Sequence, residues 1–202
     1  VKIPPFPAFA SARVRSGAPR AAARVLATLA LPGAALLLSA AAPIIPSTPD
    51  LGKAEGQCRP GESGPAFLVD VLGLKDRTGK LKLEVYPAND EDFLADDNVL
   101  VSAGKTFRRV EITPPAEPTP RLCVRLPGPG HYTVMLLHDR DSNHRFNWQR
   151  DGIGFSNNPH LGWSKPKAAS VSVAAGERPT PLRIVLNYRN GLLSVGPIKG
   201  AR

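Results

Sequence analysis

Residues 80–86 read Lys-Leu-Lys-Leu-Glu-Val-Tyr, charged and apolar side chains alternating without a break as far as Val85. That is the period of an extended strand with one dry and one solvated face. It predicts Leu81, Leu83 and Val85 facing a core and Lys80, Lys82 and Glu84 facing water. No such run lasts long, because 22 prolines and 18 glycines punctuate the chain. Proline removes a ladder donor and is confined to edges and connections. Such a chain folds into short strands joined by tight turns.

The other strands follow from the same reasoning. Phe67, Val69 and Val71 alternate against Leu68 and Leu72 in residues 66–72, and the turn Asp76-Arg77-Thr78-Gly79 makes this run and 80–86 read as a hairpin. Further strands are expected at 106–112 (anchored by Phe107 and Val110), 121–126, 131–137, 168–173 and 182–188, with a short extra strand at 192–195. Residues 131–137 are apolar on both faces, as in a central strand. Leu182, Ile184, Leu186 and Tyr188 form the inward face of 182–188. Proline-rich 114–120 is a surface connection, residues 89–98 are a loop or a short helical turn, and 147–167 shows no periodicity. Together these runs predict an all-β sandwich of seven or eight strands spanning 65–196. A flexible arm at 43–64 precedes it and a tail at 197–202 follows. An α+β domain with a helix within 89–100 is the alternative.

The N-terminal end has a different character. Arg13, Arg15, Arg20 and Arg24 form a basic region without acidic residues, an apolar stretch covers 25–38, and small residues occupy 39–42. This is the pattern of a signal peptide over 1–42, cleaved after Ala41 or Ala42. An uncleaved anchor and an apolar helix of a soluble domain are the alternatives. The stretch is short for a membrane span, which needs about 20 residues, and no later segment is apolar enough for one. Lys2 and the four arginines account for five of the 26 basic residues, so 21 basic face 17 acidic beyond Ala42, a balance of +4 against +9 for the whole chain. So modest a charge, without a basic stripe, argues against nucleic acid as a partner. Export to an oxidising compartment would allow Cys58 and Cys123 to form a disulfide; two separate buried thiols are the alternative.

One loop concentrates oxygen-bearing side chains. Asp139, Asp141, Asn143, Arg145 (through its carbonyl) and Asn147 occupy positions 1, 3, 5, 7 and 9 of a calcium-loop spacing, and Asp151 could close the site. His144 stands where such a turn prefers glycine, and Arg150 where the bidentate carboxylate would be. An EF-hand is therefore excluded, and a hydrogen-bonded Asx turn is the competing reading. The four histidines are too dispersed for a zinc cluster. There is no nucleophile elbow and no phosphate loop, and nothing in the spacing pairs carboxylates for hydrolysis. Trp148, Phe155, Asn157, Asn158, His160 and Trp163 could line a shallow surface for a sugar or peptide, or the aromatics could cap the open end of the sandwich.

The runs Gly130-His131-Tyr132-Thr133-Val134, His138-Asp139-Arg140-Asp141-Ser142-Asn143 and Gly152-Ile153-Gly154-Phe155-Ser156-Asn157-Asn158 resemble the DUF2141 family of uncharacterised exported bacterial proteins. Its pattern is a Gly-x-Tyr strand start, a His-Asp followed by alternating acidic or amide residues, and a Gly-Phe-Ser tract. The likeness covers roughly 67–188. Family members often have glycine and aspartate where this chain has His144 and Asn147, which weakens the calcium reading. The resemblance implies a secreted sandwich of transthyretin-like or carboxypeptidase-regulatory-like kind; an immunoglobulin-like arrangement of the strands is the other expectation. The function expected is that of a noncatalytic bacterial periplasmic or secreted protein. It would bind an envelope protein or glycan through loops 139–147 and 154–163. The alternatives are an accessory domain with a calcium-stabilised loop and, more remotely, a hydrolase.

Overall fold

The computed structural model describes residues 45–162, 164–192 and 194–200; the proposed signal peptide lies outside them. Ten strands follow one another along this stretch: β1 (Ala66–Leu72), β2 (Lys80–Pro87), β3 (Arg108–Ile112), β4 (Arg121–Arg125), β5 (Gly130–Asp139), β6 (Gly152–Phe155), β7 (Ser172–Ala175), β8 (Thr180–Val185), β9 (Asn187–Arg189) and β10 (Val195–Pro197). Three short helical segments accompany them: α1 (Lys53–Gly56), α2 (Asp97–Ser102) and α3 (Ala168–Val171). The strands beyond the expected eight are the very short β6 and β9, whose few residues carry little periodicity, while the short extra strand expected at 192–195 lies slightly later, as β10.

The strands form two sheets, as an all-β sandwich requires. The smaller has the order β4-β1-β8, with β1 antiparallel to β4 and parallel to β8. The larger has the order β10-β9-β6-β5-β2-β3, and β7 also joins β5. β5 is its spine. It pairs with β2 along one edge, while β7 and β6 take successive stretches of the other. The expected central strand is therefore central.

Between the sheets lies the main core. Phe67, Val69 and Val71 of β1, Leu81, Leu83 and Val85 of β2, Leu122 and Val124 of β4, and Val134 and Leu136 of β5 are buried there, with Ile184, Leu186 and Tyr188. Full burial of each such side chain contributes roughly 1.5–3 kcal/mol. A second apolar cluster covers the outer face of the large sheet. Tyr86, Met135, Leu137 and Phe155 meet Phe93, Leu100 and Phe107, with Ala168 and Val171 of α3. This is why β5 is apolar on both faces.

Four local expectations need correction. β1 and β2 are not a hairpin; they lie in different sheets, and residues 73–79 cross between them. Alternation reports which face a residue occupies and is silent on its hydrogen-bonded neighbour. The run 182–188 is likewise divided. Its inward alternation continues through Leu186, but β8 pairs with β1 while β9 pairs with β10 and β6. Residues 168–171 form a helical turn that buries Ala168 and Val171, three positions apart, before β7 begins. The stretch 147–167 contains a strand, β6, whose glycines mask its periodicity. A Cβ at Gly154 would lie 2.6 Å from both Ile184 Cγ2 and the Val185 carbonyl oxygen, so only glycine permits this approach.

Residues 45–64, expected as a flexible arm, are tightly docked instead. The Arg109 N–H donates to the Gly52 carbonyl at 3.1 Å, and Gln57 bridges to Val124. Gly56 sits so close to β3 that a Cβ there would lie 2.7 Å from the Arg109 carbonyl oxygen. Cys58 and Cys123 form a disulfide with Cα atoms 5.9 Å apart. The arm thus covers strand edges that would otherwise be open to pairing with another chain. The physical cause is the bridge together with the two close glycine approaches, which linker-like composition conceals.

The disulfide joins residues 65 positions apart, for which loop-closure entropy gives at most about 4 kcal/mol. The C58S/C123S double variant is expected to unfold with roughly 2–4 kcal/mol less stability in a denaturant titration. Hydrogen exchange in that variant should show residues 51–58 losing protection before β5 does.

Candidate functional site

The loop between β5 and β6 is built around two buried carboxylates. Asp139, the last residue of β5, accepts the Asn143 N–H at 3.2 Å and the His144 N–H at 2.7 Å. Asp151, one residue before β6, accepts the Arg140 N–H at 3.0 Å and the Asn147 N–H at 2.7 Å. Each carboxylate therefore closes a turn with both oxygens. Asn143 Oδ1 accepts the Arg145 N–H at 2.7 Å and Asn147 Oδ1 the Gln149 N–H at 3.0 Å, as Asx turns do. Ser142 and His144 have left-handed backbone, φ 55° and 64°. The glycine preference at position 144 is thus a conformational preference, which His144 meets under restraint from Asp139.

Asp141 adds a third carboxylate. One oxygen each from Asp139, Asp141 and Asp151 lie within 4.8 Å of one another, and Arg150 Nη1 stands 3.6 Å from Asp141. Burial pushes the Asp139 carboxyl up; the two backbone N–H bonds oppose this, and contact with Asp141 and the charge of Asp151 reinforce it. Three hard oxygen donors suit calcium chemically. Of the six expected ligands, the structure gathers these three carboxylates and engages the side-chain oxygens of Asn143 and Asn147 in local turns.

His138 faces the opposite side of β5 and is completely buried. Its Nε2 lies 2.8 Å from the Thr78 carbonyl, which can only accept, so Nε2 carries the proton. Nδ1 then accepts from the Tyr188 hydroxyl at 2.7 Å, and that hydroxyl accepts the Lys75 N–H at 3.2 Å. Burial lowers the imidazole pKa against the pull of Thr78 and Asp76, and burial raises the Tyr188 phenol. His138 is a neutral strut tying the 73–79 crossover to β5 and β9.

Two clefts flank residues 143–148. An apolar one of about 370 Å³ is lined by Phe146, Trp148, Ile153, Phe155 and Leu161. Phe155 is its floor, edge-on to Phe93 at 5.7 Å, and the Arg189 guanidinium lies 4.8 Å from the Trp148 ring centroid. The second cleft, about 720 Å³, has Lys82, Glu84, Asp97 and Arg109 in its lining. The period of β2 does not reveal it, because alternation places Lys82 and Glu84 on a solvated face. Both are buried, since loop 88–96 and α2 cover that face of β2. Tyr86, a large aromatic sharing their parity, was the available signal.

The remaining candidate residues lie elsewhere. Asn157 and Asn158 have left-handed backbone, φ 60° and 48°. Asn157 Nδ2 donates to the Ser172 carbonyl at 2.9 Å. The Asn158 side chain donates to the Arg183 carbonyl at 2.9 Å and accepts the Val185 N–H at 2.7 Å, filling one pairing position on β8. Both asparagines line a surface with Asp70, Arg121 and Arg183, apart from Trp148 and Phe155. His160 is exposed, and Trp163 lies outside the described residues.

The His138 environment fixes a pH dependence. Its folded pKa is below its ordinary 6.5, so the unfolded chain binds the proton first on acidification. Stability is fully present above pH 6.5 and falls as pH drops toward the folded pKa, by up to about 1.4 kcal/mol per pH unit for one proton. Asp139, shifted upward, acts with the opposite sign at lower pH. Thermal unfolding between pH 7.5 and 5.5 should therefore show a steeper loss for the native chain than for His138→Gln. Equal slopes would show that His138 is not the titrating group.

A family model described as "Uncharacterized protein conserved in bacteria (DUF2141)" matches residues 69–182. No curated protein and no solved structure matches the chain. The matched stretch begins within β1 and ends within β8, and it includes His138, the whole 139–151 loop and the asparagine plug on β8. It covers more than half of the chain, which therefore belongs to the DUF2141 family.

Proposed function

We propose that this protein is an exported, noncatalytic β-sandwich that binds an envelope protein or glycan through loop 139–147 and the apolar surface beside it, to which Phe155 and Leu161 of the 154–163 stretch contribute. The observation that carries this reading is the apolar cleft beside a braced loop. Phe146 keeps 47% of its surface exposed, and Trp148 and Leu161 line the cleft with it. Aromatic groups on a loop held by buried carboxylates are preorganised, which reduces the ordering cost of binding. The Cys58–Cys123 bridge supports an oxidising compartment. No helix among the described residues is long and apolar enough to cross a membrane. A noncatalytic role is supported by the bonding of the titratable groups at the end of β5 and in the loop: His138, Asp139 and Asp151 are each occupied by structural hydrogen bonds.

The test is retention of the folded protein on isolated envelope fractions and purified cell-wall glycan. Trp148→Ala and Leu161→Ala should each reduce retention several-fold while the unfolding midpoint moves by only a few degrees. Unchanged retention by both variants would sink the proposal.

The three-carboxylate cluster favours a second reading, an accessory domain whose loop is stabilised by calcium. A cation binding only the folded state raises apparent stability as its concentration rises. Calcium added to chelated protein should raise the unfolding temperature, and Asp141→Asn should abolish the effect. A midpoint that stays fixed up to millimolar calcium would remove this reading.

A further inference from the structure

The larger cleft has an unusual floor. Lys82, Glu84, Asp97 and Arg109 are each more than nine-tenths buried, yet all four border open space of about 720 Å³. Arg109 Nε donates to Glu84 Oε1 at 2.8 Å and Nη2 to Asp97 Oδ2 at 3.0 Å. Lys82 Nζ lies 3.3 Å from Glu84 Oε1 and donates to the His144 carbonyl at 3.2 Å. The Tyr86 hydroxyl donates to Glu84 Oε2 at 2.6 Å. The hydrogen bonds use one of the three ammonium donors of Lys82, whose contact with Glu84 is an ion pair, and one of the two Nη2 donors of Arg109. A buried ion cluster is weak as a stabilising device, because desolvation offsets its attraction. A cluster bordering a cleft also offers a ligand rigid, preoriented donors and acceptors.

We infer that this cleft is a binding site for a neutral oligosaccharide. Its charged lining is balanced, with Lys82, Arg109 and Arg145 against Glu84, Asp96 and Asp97. An anion would meet the three carboxylates and a cation the three basic groups. A sugar hydroxyl donates and accepts at once, so it can bond to both kinds of group without introducing charge. Apolar contact is present as well: the half-exposed Phe146 ring and Leu94 line the same cleft, and an aromatic or aliphatic surface suits the C–H face of a pyranose. The volume of about 720 Å³ lies within the roughly 300–1,000 Å³ of small-ligand pockets. The site shares Phe146 and Leu94 with the apolar cleft and does not depend on that cleft binding anything.

The experiment is calorimetric titration of the folded, disulfide-bonded protein with chitotetraose, cellotetraose and maltotetraose. Tetragalacturonate and a chitosan tetramer serve as the anionic and cationic controls. At least one neutral sugar should bind with Kd below about 1 mM and more tightly than either charged control. Phe146→Ala and Asp96→Ala, both at exposed positions, should weaken it at least fivefold with little change in unfolding temperature. Trp148→Ala, confined to the apolar cleft, should leave the affinity unchanged. The inference is overturned if no neutral sugar binds, if a charged control binds as well as the best neutral one, or if Asp96→Ala has no effect. Loss of sugar binding in Trp148→Ala with Asp96→Ala unaffected would place the ligand in the apolar cleft, overturning this site while supporting the surface proposed above.

Discussion

The guanidinium of Arg109 is the contact on which the arrangement of layers depends. A buried cation is costly unless its donors are used, and the partners of Arg109 come from separate parts of the chain. Glu84 belongs to β2 and Asp97 to α2, while the carbonyls of Thr48 and Pro49, at 3.0 and 3.3 Å, belong to the arm. Burial opposes the charge, but Glu84 and Asp97 outweigh it and hold the guanidinium above its ordinary value. The same burial, with the Glu84 charge beside it, pushes the Tyr86 phenol well up. The Phe107 ring adds a cation–π contact at 4.9 Å. One side chain thus sets the positions of the arm, the outer face of the large sheet and α2.

The spine strand β5 passes this order to the loop. Consecutive residues of a strand point to opposite faces, so His138 and Asp139 serve different layers. His138 closes the crossover between the sheets through Thr78 and Tyr188, and Asp139 organises the turn through the N–H groups of Asn143 and His144. A His-Asp pair at the end of a central strand is therefore intelligible as architecture. The consequence for function is that the loop is braced at its base while Phe146 stays exposed near its tip, between the two clefts.

Much of the fold was legible in the chain. The alternation in 66–72, 80–86 and 121–126 identified Phe67, Val69, Leu81, Leu83, Leu122 and Val124 as core, and all are buried. The two-faced apolarity of 131–137 identified a central strand. β6 was illegible because Gly152 and Gly154 present no side chain to pattern; the docked arm was illegible because its anchoring is through backbone and a disulfide. Of the candidate site, the alternating acid and amide residues marked the loop, and no local pattern placed Asp151 against Arg140 or Asn158 against β8.

By itself the sequence determined which residues face a core, that the strands are short, and that the oxygen-rich stretch forms a turn. These are local consequences of side-chain period, proline and glycine geometry, and Asx bonding. Only the tertiary structure decided that β1 and β2 belong to different sheets, that 182–188 changes sheets at Leu186, and that Lys82 and Glu84 are buried. The reason is that alternation specifies a face and not what covers it. The cover over that face comes from loop 88–96 and α2, while Arg109 of β3 links Glu84 to Asp97 and the His144 carbonyl receives Lys82, none of them a neighbour in the chain.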